Sequence, residues 1–144
     1  MQRNLNILLV EDNAFDVEIF ERSVKKFDGS LNMVHAADGV EALSIISCSH
    51  EHKKIPRPYL ILIDINMPRM NGHEFLERLR KGEHDPTAVT IVFSTSDNPQ
   101  DIQTAYERGA NGYIVKPQNN EEFQNVLKVL RGLWSICEPP PSAS

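Results

Sequence analysis

Short unbroken apolar runs alternate along this chain with longer stretches in which apolar residues return every three or four positions. The runs are residues 5 to 10, Leu31 to Ala36, residues 59 to 63, Val89 to Ser94 and Gly112 to Val115. Runs of this length predict strands covered on both faces, as in a parallel sheet. Between them the helical period predicts inward stripes: Val17, Phe20, Val24 and Phe27; then Val40, Leu43 and Ile46; then Phe75, Leu76 and Leu79; and last Phe123, Val126, Leu127, Leu130, Leu133 and Trp134. Asp16, Glu18 and Glu21 fall off the first stripe and read as pointing elsewhere. Helix starts are marked by Asn13, Asp38, Asp97 or Asn98, and Asn119 or Asn120. Pro99 suits a first helical turn and Gly109 a helix end. Asp28-Gly29-Ser30 and Asp85-Pro86 read as breaks, and Cys48 to Pro58 as a long polar loop.

Five strands alternating with five helices predict an α/β fold, a flavodoxin-like (βα)5 doubly wound parallel sheet with strand order 2-1-3-4-5. The 144 residues make one ordinary domain, expected over residues 1–136, with residues 137–144, carrying Pro139-Pro-Pro141, as a flexible tail. Net charge of -5 speaks against nucleic acid, because a duplex-binding surface needs a dominant basic footprint. No apolar run is long enough to span a membrane, and the start of the chain carries no signal-peptide pattern. Two distant cysteines, Cys48 and Cys137, read as free thiols, so the expected location is cytoplasmic.

The strand ends carry the chemistry. The first run leads into Glu11-Asp12, the third into Asp64, and the fifth into Lys116-Pro117. Parallel strands with helical crossovers end at one edge, so these charges converge at the switch point between the first and third strands. Crowded carboxylates repel unless a divalent cation sits among them, and hard oxygen donors suit magnesium. The expected metal site is Asp12 and Asp64 binding Mg2+ directly, the backbone carbonyl of Asn66 as a third ligand, and Glu11 acting through water. Asp64 is the expected nucleophile, since a carboxylate can take a phosphoryl group to give an acyl phosphate. Lys116 and the Ser94 hydroxyl are placed to neutralise and bond the phosphoryl oxygens.

These residues carry a resemblance. Leu8-Leu-Val-Glu-Asp12, Asp38-Gly-Val-Glu-Ala-Leu43, Leu62-Ile-Asp-Ile-Asn-Met-Pro-Arg-Met-Asn-Gly72, Gly109-Ala-Asn-Gly-Tyr113 and Lys116-Pro117 resemble, in order and spacing, the receiver domain of two-component response regulators. The resemblance implies that Asp64 accepts phosphate from a sensor histidine kinase or a histidine phosphotransfer protein. It implies a signalling domain rather than an enzyme acting on outside substrates, with self-catalysed phosphotransfer and autodephosphorylation. Ser94 and Tyr113 match the family's switch pair, and Asn66 and Ser96 stand where the family tunes dephosphorylation. The switching surface is then the fourth helix, fifth strand and fifth helix. A cis bond between Lys116 and Pro117 is also implied.

The long loop before the third strand, Ser94-Thr-Ser-Asp-Asn98 and Leu133-Trp134 are similar to stand-alone receivers that partner phytochrome-type light-sensing histidine kinases. That similarity implies a homodimer through the C-terminal region. Trp134 reads either as a dimer anchor or as ordinary core cover, and Tyr113 as switch or core. His50-x-His52 reads as a solvated loop rather than a metal pair.

Other functions on this fold are weaker. A phosphatase of the haloacid dehalogenase kind wants a second Asp two residues after the nucleophile, and Asn66 stands there. A flavin module needs a phosphate-cradling first loop, and Glu11-Asp12 has the wrong charge. A phosphate-independent interaction module has no need of the acidic cluster.

Overall fold

The strands expected from the apolar runs form one parallel sheet in the order β2-β1-β3-β4-β5. The computed structural model describes residues 4–27 and 31–141. Along the chain the elements are β1 (Leu5–Val10), α1 (Ala14–Lys26), β2 (Leu31–Ala36), α2 (Gly39–Ile46), β3 (Tyr59–Ile63), α3 (Gly72–Lys81), β4 (Thr90–Ser94), α4 (Pro99–Glu107), β5 (Gly112–Val115) and α5 (Asn120–Ile136). Val10 pairs with Ile63, and Ser94 with Val115. Hence Glu11 and Asp64 leave neighbouring strands side by side, and Lys116 leaves the strand beside Ser94. The break expected at Asp28-Gly29-Ser30 lies outside the described residues.

Helices cover both faces. Side chains alternate along each strand, so Leu8, Val10, Ile61, Ile63 and Val92 pack toward α2, α3 and α4. Ile7, Leu9, Leu60, Leu62 and Phe93 pack toward α1 and α5. On the second face Phe20, Phe93 and Phe123 meet edge to face, with ring centroids 5.4 to 6.1 Å apart. That geometry suits the ring quadrupoles.

Each start residue does its work through a side-chain oxygen. Asn13 accepts from the Asp16 N–H, Asp38 from Glu41, Asn71 from Glu74, Asn98 from Gln100 and Asn119 from Glu122. So Asn98 rather than Asp97, and Asn119 rather than Asn120, are the caps. Asn71 caps α3 beyond the helix starts that the sequence predicts.

Two stripes differ from expectation. In α2 the buried residues are Gly39, Ala42, Ile45 and Ile46, while Val40 is exposed. A Cβ on Gly39 would stand 2.8 Å from the Met70 sulfur, so α2 seats its small residues inward against the β3–α3 loop. In α5 Trp134 is buried and Leu133 is exposed. The cis bond expected at Lys116-Pro117 is also not there; among the described residues the cis peptide is Arg57-Pro58. Prolyl amides separate the two forms by only about 0.5–1 kcal/mol, so surrounding packing decides, and the resemblance misassigned which prolyl bond is cis.

The 48–58 loop is tied down. His50 Nε2 lies 3.1 Å from Glu41, and the Lys53 ammonium donates to the His35 carbonyl at 2.8 Å. Of the histidine pair, His52 is exposed and His50 is committed to Glu41. At the other end of the sheet, Pro139 and Pro140 of the expected loose tail are half-buried beside Arg57, Tyr59 and Asp85.

Arg80 holds the α3 end to the β4 and β5 entries. Its guanidinium donates to the carbonyls of Gly109, Pro86 and Ala88 and to Asn111 Oδ1, at 2.8 to 3.0 Å. Gly109 has φ of +102°, and a Cβ there would lie 2.8 Å from Arg80 Cγ, so glycine serves both the helix end and this contact. Among the described residues no acid balances the charge within this fork; neutral oxygens carry it. Arg80→Ala is expected to lower stability by about 2–3 kcal/mol, and Arg80→Lys to recover little, because an ammonium cannot span the fork. Urea denaturation of the three proteins measures this.

Candidate functional site

The C-terminal edge of the sheet gathers the charges that the strand ends predict. Glu11 follows β1 and is buried, with its N–H donating to the Ala36 carbonyl at 3.0 Å. One of its carboxylate oxygens accepts from the Asn13 N–H at 3.3 Å. The His35 ring, on edge strand β2, donates through Nε2 to the Glu11 carbonyl at 2.7 Å, which fixes that tautomer. Asp64 follows β3, and its N–H donates to the Val10 carbonyl at 3.1 Å. Behind it, a Cβ on Gly72 would stand 2.7 Å from the Asp64 carbonyl oxygen, so the start of α3 presses directly on the Asp64 backbone. The Asn66 N–H donates to Asp64 Oδ1 at 3.1 Å. Asp12, next along from Glu11, is exposed at the same edge.

Lys116 occupies the middle. Its side chain is 9% exposed, and its ammonium donates to Glu11, to Asp16 at 3.1 Å and to Asp64 at 3.2 Å. The three ammonium protons thus meet three carboxylates. Burial works to lower the Lys116 pKa; the Glu11 hydrogen bond and the charges of Asp64 and Glu11 overcome it and raise the ammonium above its ordinary value. Burial pushes the Glu11 carboxyl up, to about 7, against the opposing pull of the Lys116 bond.

Asp16 joins the cluster too, a role that its place off the inward stripe of α1 leaves open. The signal lay in the cap: Asn13 fixes Asp16 in the first turn of α1, which starts directly above the strand edge. Its spacing from the apolar stripe shows only that it avoids the core.

Ser94 is fully buried, and its Oγ accepts from the Ser96 N–H at 3.2 Å. The Tyr113 hydroxyl donates to the Ser96 carbonyl at 2.8 Å, and the Ser96 hydroxyl donates to Asp101 on α4 at 2.6 Å. Ser96 therefore joins both members of the expected switch pair to α4. Burial raises the Tyr113 pKa, so its phenol stays a donor at neutral pH. Trp134 is far from this edge, 4% exposed in the layer with Leu60, Leu127 and Leu130. It is core cover, and the idea of Trp134 as an exposed anchor is set aside.

Among the described residues no three acidic, imidazole or thiol side chains enclose a metal position. The donors at the edge are all oxygen, with Asp64 held by Asn66 and Asp12 facing solvent. Such a set fits a hard cation bound by one or two carboxylates, backbone oxygen and water.

Comparison with known proteins agrees with this geometry. Residues 7–128 match the response regulator receiver domain. Response regulator Rcp1 of Synechocystis is 28% identical over 137 residues, which cover 95% of this chain and 93% of Rcp1. A structure of the phosphorylated cyanobacterial phytochrome response regulator RcpA superposes with a TM-score of 0.81 at 29% identity, covering 96% of this chain and 99% of RcpA. The Mn(2+)-bound form of response regulator Rcp1 gives 0.78 at 26% identity, covering 96% of this chain and all of that one. Among the described residues no helix is long and apolar enough to cross a membrane. With its sheet order, its acidic edge and a match over most of its length, the chain belongs to the response regulator receiver domain family.

Proposed function

We propose that this chain is a single-domain response regulator that takes a phosphoryl group on Asp64 from a sensor histidine kinase or a histidine phosphotransfer protein. The observation that carries the reading is Lys116, buried and aimed at Asp64 from the neighbouring strand pair. The match over 93% of the length of Rcp1, itself a response regulator, supports the same role. An Asp64 oxygen forms a bond to phosphorus as the bond from phosphorus to the donor nitrogen breaks. The histidine nitrogen leaves with the bonding pair, and the product is a mixed anhydride. Lys116 donates to a phosphoryl oxygen, and the Ser94 hydroxyl turns to donate to another.

Mg2+, when bound, neutralises charge on the phosphoryl group and on the acids around it. Asp12, Asp64 and the Asn66 carbonyl are its proposed ligands, with Glu11 reached through water. When Ser94 turns, the Ser96 N–H loses its acceptor. Ser96 also holds Tyr113 and Asp101, so the change passes to the α4–β5–α5 face. Hydrolysis of the anhydride by the domain itself returns it to rest. The likeness to a phytochrome response regulator favours a phytochrome-type light-sensing kinase as donor. Neither part of the phosphotransfer needs a membrane or nucleic acid, and a cytoplasmic location fits the exposed Cys48 thiol.

A homodimer through the C-terminal region is part of the same proposal, with a different anchor. Val129, Leu133 and Ile136 lie exposed at helical spacing along α5. A second copy of the chain offers the same stripe to cover them.

Incubation with acetyl phosphate and Mg2+ is expected to add one phosphoryl group by intact mass, and Asp64→Asn to remove it; an adduct on the variant overturns the assignment. In cation-free buffer Glu11 is expected to make stability pH-dependent. Its folded value of about 7 lies above the ordinary 4.5, so between these the folded protein holds a proton that the unfolded chain has released. The stabilisation is full below pH 4.5 and is lost as pH rises through 7. Urea midpoints at pH 5, 6, 7 and 8 should fall less steeply in Glu11→Gln than in the parent. For the dimer, sedimentation of Leu133→Asp against the parent should show the variant shifted to monomer; a parent that is monomeric at every concentration rejects the interface.

A further inference from the structure

We propose that Asp16 is a positioning residue that keeps the Lys116 ammonium aimed at the reacting oxygen of Asp64 throughout phosphoryl transfer. This rests on the reading of Asp64 as phosphoacceptor. Lys116 reaches the site from the end of β5, and packing alone does not fix it. Its stem borders a cavity of about 50 Å3 lined by Glu11, Asp16, Phe20, Phe93 and Phe123 among others. A four-carbon stem beside open space can swing, so the direction of the ammonium is set by its acceptors.

Those acceptors differ in what the reaction leaves of them. Asp64, at 3.2 Å, loses its charge when it becomes an anhydride. Glu11 also holds the Asn13 N–H and lies beside the proposed cation position. Asp16, at 3.1 Å, takes no part in either. Its backbone is pinned by the Asn13 cap, whose Oδ1 accepts its N–H at 3.1 Å, so the carboxylate is delivered from a rigid first turn. With one proton held by Asp16 and one by Glu11, the third points toward Asp64, where a phosphoryl oxygen arrives. Of the three carboxylates on Lys116, Asp16 is the one engaged neither in the anhydride nor beside the proposed cation position. It stands on α1, whereas the other two follow β1 and β3.

The test uses Asp16→Ala, Asp16→Asn and Asp16→Glu in the full chain with acetyl phosphate and Mg2+. The rate of adduct formation on Asp64 should fall about tenfold in Asp16→Ala, in the range expected when a transition-state contact is misaimed. Asp16→Asn, which keeps the shape and loses the charge, should fall between Ala and parent. Asp16→Glu should recover to within about twofold, since its carboxylate can still reach the ammonium. A second readout is independent of turnover. The side-chain 15N signal of Lys116, slow to exchange in the parent because the ammonium is buried and bonded, should broaden or shift in Asp16→Ala and return in Asp16→Glu. If Asp16→Ala keeps both the parental rate and the parental ammonium signal, the role of Asp16 is overturned while the phosphoacceptor reading stands. A parent that takes no adduct on Asp64 overturns both.

Discussion

A buried ammonium is the constraint around which the rest of this molecule is arranged. An isolated charge held in a protein interior costs several kcal/mol, and the cost is recovered only when partners satisfy it fully. Lys116 is 9% exposed and meets carboxylates from the ends of β1 and β3 and from the first turn of α1. Each partner is in turn held. Glu11 is fixed through its carbonyl by His35 on the edge strand, Asp64 by the close approach of Gly72, and Asp16 by the Asn13 cap. The dependence runs both ways, because removal of the lysine would leave Glu11 and Asp64 facing each other in a buried place. The sheet order makes this balance available: β1 and β3 are neighbours although the end of β1 and the end of β3 lie about fifty residues apart.

Most of this was legible in the sequence because it depends on local rules with strong periods. Unbroken apolar runs marked the strands, and crossover handedness left one common order. Asn13, Asp38 and Pro99 marked helix starts by chemistry that needs no tertiary context. Glu11, Asp64, Ser94 and Lys116 were placed at one edge because each follows or ends a strand. What escaped depended on which side of a helix faces what. Val40 and Leu133 are large and apolar and fit a stripe, yet they are exposed; Ala42, too small to attract notice, is buried, and Gly39 is where α2 comes close to Met70. Asp16 escaped for a related reason. Helical periodicity separates core from surface, but the first turn of a helix that begins at a strand edge has a third direction, toward the site. Trp134 was legible as large and apolar, and whether it faced the sheet or a partner depended on the rotation of α5 by a single residue.

Ser96 shows how a residue with an unremarkable side chain becomes a junction. Its N–H, carbonyl and hydroxyl face three different partners, Ser94, Tyr113 and Asp101. A small polar residue suits this place, because a longer side chain would carry its donor past Asp101. Any change at the Ser94 hydroxyl is felt first by the Ser96 N–H, which must find another acceptor or move. Movement of that peptide displaces the carbonyl that holds Tyr113 and the hydroxyl that holds Asp101. Asp101 lies 3.9 Å from His73 on α3, whose ring burial lowers its pKa and whose Nδ1 has no hydrogen-bond partner among the described residues. A neutral ring there gives Asp101 little competing attraction at neutral pH, so the aspartate stays with Ser96. The link from the acidic edge to α4 therefore runs through hydrogen bonds of ordinary length, each about 1 kcal/mol net, and rearranging several together gives a change comparable to the few kcal/mol that separate two states of a switch.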